Sequence, residues 1–185
     1  MKQNKRNQRL QLLEVELRAK IDRVNLLNNK ILLNKEYLEI DMYYRYAPEI
    51  NKDWVVRIRR HLNDFFVTYK SNKKFGEGAW SEVEMQINKE VADKLHDFFL
   101  SNKFILDVII EKNRKNFQYK NFEINIDQIK DLGIFIEAEV ITDNVEEGRE
   151  RILELFLELD IPSKDITEKG YVTLMKEALN GKSTR

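Results

Sequence analysis

Glu14, Glu16, Arg18 and Lys20 fall at alternate positions, with Val15, Leu17, Ala19 and Ile21 between and after them. Successive side chains of a β-strand point to opposite faces, so these two acids and two bases share one face. Carboxylates hold hard divalent cations, whereas Lys and Arg neutralise phosphate oxygens. Two acids followed by two bases therefore suit a site that binds metal ions and a polyanion side by side. The spacing recurs in Arg57/Arg59, Glu82/Glu84, Lys112/Arg114 and Glu137/Glu139, and Thr68 aligns with Lys70 in the same way. Like charges two apart on one strand face repel, which is a poor choice for a face that serves stability alone.

Two arrangements accommodate this pattern. Half-buried antiparallel strands commonly alternate apolar and polar residues, and the charges are then a solvated face. In the other arrangement the strands curl into a barrel with a charged lumen, and amphipathic helices cover the apolar outside. Enclosed charges cost several kcal/mol of desolvation each unless they are paired. The inward set satisfies that condition: Glu14, Glu16, Glu82, Glu84, Asp127, Glu137 and Glu139 balance Arg18, Lys20, Arg57, Arg59, Lys70, Lys112 and Arg114.

The elements that must position these groups can be read from periodicity and turn chemistry. Strands are expected over 12–21, Glu39–Tyr46, Trp54–His61, Phe65–Lys70, Trp80–Ile87, Val108–Tyr119, Phe122–Asp127 and Ile134–Ile141. Ala47–Asp53 and the glycine-bearing stretch Ser71–Ala79 read as connections, and Lys120-Asn121 and Gly133 as turns. Four helices are expected. One follows Asp22, with Val24, Leu27 and Ile31 on a face; one is capped by Asn88, with Val91, Leu95, Phe98 and Phe99. A third opens at Asp143 or Asn144, carries Ile152, Phe156 and Leu159, and ends at Pro162. The last holds Tyr171, Leu174, Met175 and Leu179 and stops at Gly181. The fold class is α+β: an eight-stranded antiparallel barrel or tunnel flanked by about four helices. Residues 1–9 and 181–185 read as tails around one domain over 10–180.

Composition narrows the function. The 185 residues suffice for one well-buried domain. Lys plus Arg and Asp plus Glu number 32 each, so no global basic field argues for a nucleic-acid partner. The absence of cysteine excludes disulfides and thiolate metal sites. No apolar run reaches membrane-spanning length and no signal-peptide core is evident, so a cytoplasmic protein is the default, with a homodimer as the default assembly. His61 and His96 are expected to be structural or exposed. Trp54, Trp80, Tyr43 and Tyr44 are expected to be packing or rim aromatics.

In this order the motifs resemble the CYTH domain, or triphosphate tunnel metalloenzyme, family. Glu14-Val-Glu-Leu-Arg18 is similar to its ExExK strand, with Arg in place of Lys. Asp41-Met-Tyr-Tyr44 resembles D-x-Y-[FY], Val56-Arg-Ile-Arg59 its R-x-R strand, and Thr68-Tyr-Lys70 its T-x-K strand. Ser81-Glu-Val-Glu84 is similar to R-x-E-x-E, with Trp80 where a basic residue is common. Glu111-Lys-Asn-Arg114 resembles E-K-x-R, and Asp127 with Leu132–Glu139 the D…L-G-x-F-x-E-x-E block. The stretch Glu111–Asn144 and Gly170-Tyr-Val-Thr-Leu174 are most similar to the class IV adenylate cyclase branch.

The resemblance implies a tunnel that binds a triphosphate-bearing small molecule, ATP or inorganic triphosphate, with Mg²⁺ or Mn²⁺. It makes Glu14, Glu16, Asp127, Glu137 and Glu139 metal candidates. Arg18, Lys20, Arg57, Arg59, Lys70, Glu82, Glu84, Lys112 and Arg114 become substrate-binding candidates, and Glu14, Glu16, Lys70 and Arg114 catalytic ones. Attack by a ribose 3′-hydroxyl on the α-phosphate would yield cyclic AMP and pyrophosphate. Attack by water on the terminal phosphate would make the protein a triphosphatase. A non-catalytic binder of polyphosphate or nucleotide uses the same cradle.

Overall fold

The computed structural model describes residues 13–22, 31, 33–49, 54–71 and 79–183. The expected helix after Asp22 and the expected tail over 1–9 lie outside these residues. The strands are β1 (Leu13–Ile21), β2 (Leu33–Tyr46), β3 (Trp54–His61), β4 (Asp64–Ser71), β5 (Ala79–Ile87), β6 (Phe104–Tyr119), β7 (Phe122–Ile129), β8 (Gly133–Thr142) and the two-residue β9 (Ile166–Thr167). Three α-helices are described: α1 (Lys89–Ser101), α2 (Val145–Glu158) and α3 (Tyr171–Ser183). The strands form one antiparallel sheet in the order β5-β4-β3-β2-β6-β7-β8-β1-β9. At its last seam, among the described residues, β1 meets β5 through Glu14↔Trp80 and Val15↔Ala79. Eight strands thus come round a lumen without the continuous ladder of a fully closed barrel.

Several elements run longer than the sequence suggests. β2 starts at Leu33 and β6 at Phe104, because cross-strand pairing from Leu33↔Phe117 to Tyr46↔Phe104 carries both past their alternating segments. β9 was not expected; it pairs with β1 through Arg18↔Thr167 and Ala19↔Ile166. α3 continues through Gly181 to Ser183, so that glycine does not stop it.

The outer faces of β1, β7 and β8 are largely apolar, as packing beneath a helix requires. Val15, Leu17, Ala19, Ile124, Ile126, Ile136 and Ala138 pack beneath Ile152, Leu155 and Phe156 of α2. Asn144 caps α2 by accepting from the Glu147 N–H at 3.3 Å. Asn88 caps α1 by accepting from Val91 at 2.9 Å. α1 sets Ala92 and Phe99 against Tyr44 and Ile58, and the Tyr44 hydroxyl meets His96 Nδ1 at 2.6 Å. His96 is thus structural.

α3 does something else. Its Tyr171 and Met175 pack on Tyr43, Val55, Val108, Ile110 and Phe135. All five lie on strand faces that elsewhere carry the inward charges, so α3 closes one end of the lumen rather than covering its outside.

Gly148 allows α2 to approach the sheet closely. A Cβ there would lie 2.9 Å from Thr142 Cγ2 and 3.1 Å from Val15 Cγ2. Gly148→Leu is expected to cost about 2 kcal/mol by overpacking. Urea denaturation measures it, and an unchanged midpoint would show that α2 has room to move outward.

Candidate active site

The inward face encloses a cavity of about 780 Å³. Every site residue expected from the sequence lines it except Lys20 and Asp127. Lys20 shares the face of Arg18 but pairs with Phe135, where the lumen has already ended under α3, and its side chain is exposed. Strand alternation gives a residue's face but not its depth along the tunnel. Asp127 is fully buried behind the wall. It accepts from Arg114 Nε at 2.7 Å and Nη2 at 2.6 Å, and so orients that guanidinium.

The cations are nearly all matched by carboxylates on the neighbouring strand. Arg59 grips Asp41 with two bonds of 2.7 and 2.9 Å. Lys112 lies 3.0 Å from Glu39 and 3.6 Å from Asp41. Arg18 bridges Glu16 at 2.8 Å and Glu137 at 2.6 Å, and Arg114 reaches Glu137 at 2.7 Å. Arg57 donates to Thr68 at 3.0 Å and Glu84 at 2.9 Å, and Lys70 lies 2.6 Å from Glu82.

This pairing offsets desolvation, which acts on every one of these groups. Burial alone would raise the Glu39 carboxyl, but Lys112 and Arg59 bring it down to about 2. Burial is likewise outweighed at Asp41 by Arg59 and Lys112, and at Glu137 by Arg18 and Arg114, so both sit well below the usual carboxylate range.

One stretch of the wall breaks the pattern. The register sets Glu139 directly opposite Glu16 on one side and Glu123 on the other. Like charges directly opposite one another destabilise a sheet. Burial, together with the neighbouring Glu137 and Glu14 charges, pushes Glu139 well above the usual carboxylate value. Burial also raises Glu14, against the pull of Lys70.

Ligand oxygens of Glu16, Glu137 and Glu139 lie within 4.8 Å of one another. Among the described residues, ten glutamates and eight lysines and arginines line the cavity. A polyanion therefore gains a matching field only if cations enter with it. A hard divalent cation fits this donor set of oxygen ligands.

Sequence reading missed Glu39 and Glu123, and treated Asp41 only as part of a motif. It also took His61 as structural or exposed. His61 lines the cavity, with Nδ1 3.4 Å from Glu39 and its ring 4.0 Å from that of Tyr37. The available signal was the alternation of Tyr37, Glu39, Asp41 and Tyr43, which becomes visible once β2 is extended toward Leu33. Tyr171, read only as part of a motif on the last helix, lines the cavity from α3.

Residues 12–171 match the CYTH domain. The chain belongs to the CYTH family. That family acts on triphosphate substrates and depends on metal ions. A curated protein of Methanocaldococcus jannaschii bearing the name "Putative adenylate cyclase" is 28% identical over 178 residues, covering 88% of this chain and 98% of that protein. A Pyrococcus horikoshii structure shares the fold with a TM-score of 0.80 and 24% identity, over 89% of this chain and 98% of its own. A Hippeastrum structure, described as a "Putative adenylyl cyclase" that reveals a dominant triphosphatase activity, shares it with a TM-score of 0.64 and 16% identity. That match covers 86% of this chain and 91% of the Hippeastrum chain.

The raised Glu139 has a signed consequence for this CYTH protein. A carboxyl whose folded value exceeds its free value stabilises the fold at low pH, and that contribution is lost as pH rises through the folded value. In metal-free buffer, the melting temperature of Glu139→Gln relative to wild type is expected to rise with pH. A difference independent of pH would mean that Glu139 does not hold a proton.

Proposed function

We propose that this chain is a divalent-metal-dependent enzyme of the class IV adenylate cyclase type, converting ATP to cyclic AMP and pyrophosphate. The observation that carries this reading is the single lumen in which six cationic groups, Arg18, Arg57, Arg59, Lys70, Lys112 and Arg114, face the Glu16, Glu137 and Glu139 cluster. Phosphoryl transfer calls for positioning and charge neutralisation more than for a covalent nucleophile, and this lumen is built for both. The M. jannaschii relative's name favours the cyclase reaction.

Glu16, Glu137 and Glu139 would hold Mg²⁺ or Mn²⁺, with Glu14 facing them. When bound, the ion polarises phosphoryl oxygens and neutralises their charge. Arg57, Arg59 and Lys112 bind the polyphosphate by exchanging a carboxylate partner for a phosphate. Arg114 is held in place by Asp127, and it neutralises charge as the bond between the α-phosphorus and the bridging oxygen breaks. Lys70, kept charged by Glu16, Glu82 and Glu14 against its burial, acts with it. Glu14, which lines the lumen with its carboxyl raised by burial, accepts the 3′-hydroxyl proton. Glu82 and Glu84 orient Lys70 and Arg57.

The second reading is a triphosphatase, in which water attacks the terminal phosphorus. The dominant activity described for the Hippeastrum neighbour favours it. Incubation with ATP and Mg²⁺ or Mn²⁺ separates the two. Cyclic AMP with pyrophosphate is expected, whereas orthophosphate without cyclic AMP selects the triphosphatase. Under either reaction Glu139→Gln should lower turnover about 100-fold, as loss of an electrostatic contact in the transition state does. Unchanged turnover removes Glu139 from the site.

A further inference from the structure

The hydroxyl of Tyr171 is buried and has no hydrogen-bond partner among the described residues. The residue is only 6% exposed, although it lines the cavity. Its ring stands nearly edge-on to Phe135 at 5.6 Å. The Arg18 guanidinium carbon lies 4.6 Å from the ring centroid and Lys112 Nζ 5.6 Å from it. An unpaired buried hydroxyl is a net cost to the folded state, and phenylalanine would fill the same space without that cost.

Tyr171 is also the first residue of α3, and Gly170, Val172 and Thr173 line the same cavity. The first N–H groups of a helix have no acceptor within it and carry partial positive charge. The Leu174 N–H makes the bond that closes the first turn, to Gly170 at 3.1 Å. An idle O–H donor and the amino end of a thirteen-residue helix therefore meet at one place, with two cations over the tyrosine ring and the Asp127 and Glu137 carboxylates near enough to act on the hydroxyl. That place is the closed end of the lumen: Val55, under α3, and His61 stand at opposite ends of β3.

We propose that the Tyr171 hydroxyl and the first turn of α3 form the end wall of the substrate site, donating hydrogen bonds to the terminal phosphoryl group of a bound triphosphate. The proposal rests on the reading of the lumen as a triphosphate site and adds a direction to it. The free end of the phosphate chain lies under α3, and the remainder of the substrate extends toward Tyr37 and His61.

The test compares wild type with Tyr171→Phe by thermal melting without ligand and by calorimetric titration with inorganic triphosphate and Mg²⁺. The variant is expected to melt at or above the wild-type temperature, because the hydroxyl it loses is unpaired. It is expected to bind triphosphate about ten-fold more weakly or worse. Equal affinity would overturn the end wall while leaving the triphosphate site standing. A lower melting temperature would show that the hydroxyl has a partner in the free protein, which also overturns it. A wild type that does not bind triphosphate defeats the site reading itself, and the end wall with it.

Discussion

Ionised groups cannot be carried into a protein interior one at a time. Each loses several kcal/mol of hydration, and only an opposite charge at hydrogen-bond distance offsets that loss. The wall of this tunnel meets the constraint through strand register. Asp41 stands opposite Arg59, Glu39 opposite Lys112, Arg114 opposite Asp127, Arg18 opposite Glu137 and Lys70 opposite Glu82. A one-residue slip of any of these strands would turn its charges outward and its apolar residues into the lumen. Charge pairing inside and helix packing outside therefore specify the same register; α1 and α2 cover part of the outer face, while Leu38, Val83, Met85 and Ile109 stay exposed on it.

The same constraint shows where the wall is incomplete. Glu16, Glu139 and Glu123 occupy adjacent positions on three strands without alternating in sign. Such a line is stable when it carries a proton or a cation, and it is the part of the lumen with most to gain from either. Elsewhere the basic groups are already engaged. On the proposed reading a polyphosphate would bind by replacing internal carboxylates, so its affinity would reflect an exchange of partners rather than the filling of an empty charged hole. Cations brought in by the substrate reduce the repulsion that the displaced carboxylates would otherwise create.

Much of this was legible in the sequence, because alternation is a strict geometric rule. Glu14, Glu16, Arg18, Arg57, Arg59, Lys112, Arg114, Glu137 and Glu139 were expected to share a lumen, and all line one cavity. Lys20 was misplaced because periodicity carries no information about where a strand leaves the tunnel. Glu39 and Asp41 were undervalued because the beginning of β2 lies in a stretch, Leu33–Leu38, whose outer positions are largely exposed and so lack the apolar signal of a strand. The role of α3 was illegible for a different reason. Its apolar face reads the same whether it covers the outside of a sheet or the end of a lumen, and only tertiary packing distinguishes the two.

Diffraction from crystals soaked in Mn²⁺, with data collected to reveal the metal's anomalous signal, tests the central claim most directly. The account predicts an anomalous peak inside the tunnel, coordinated by Glu16, Glu137 and Glu139. No peak there, or peaks confined to carboxylates on the outer surface, would contradict a lumen whose clustered acids are built to hold a divalent cation.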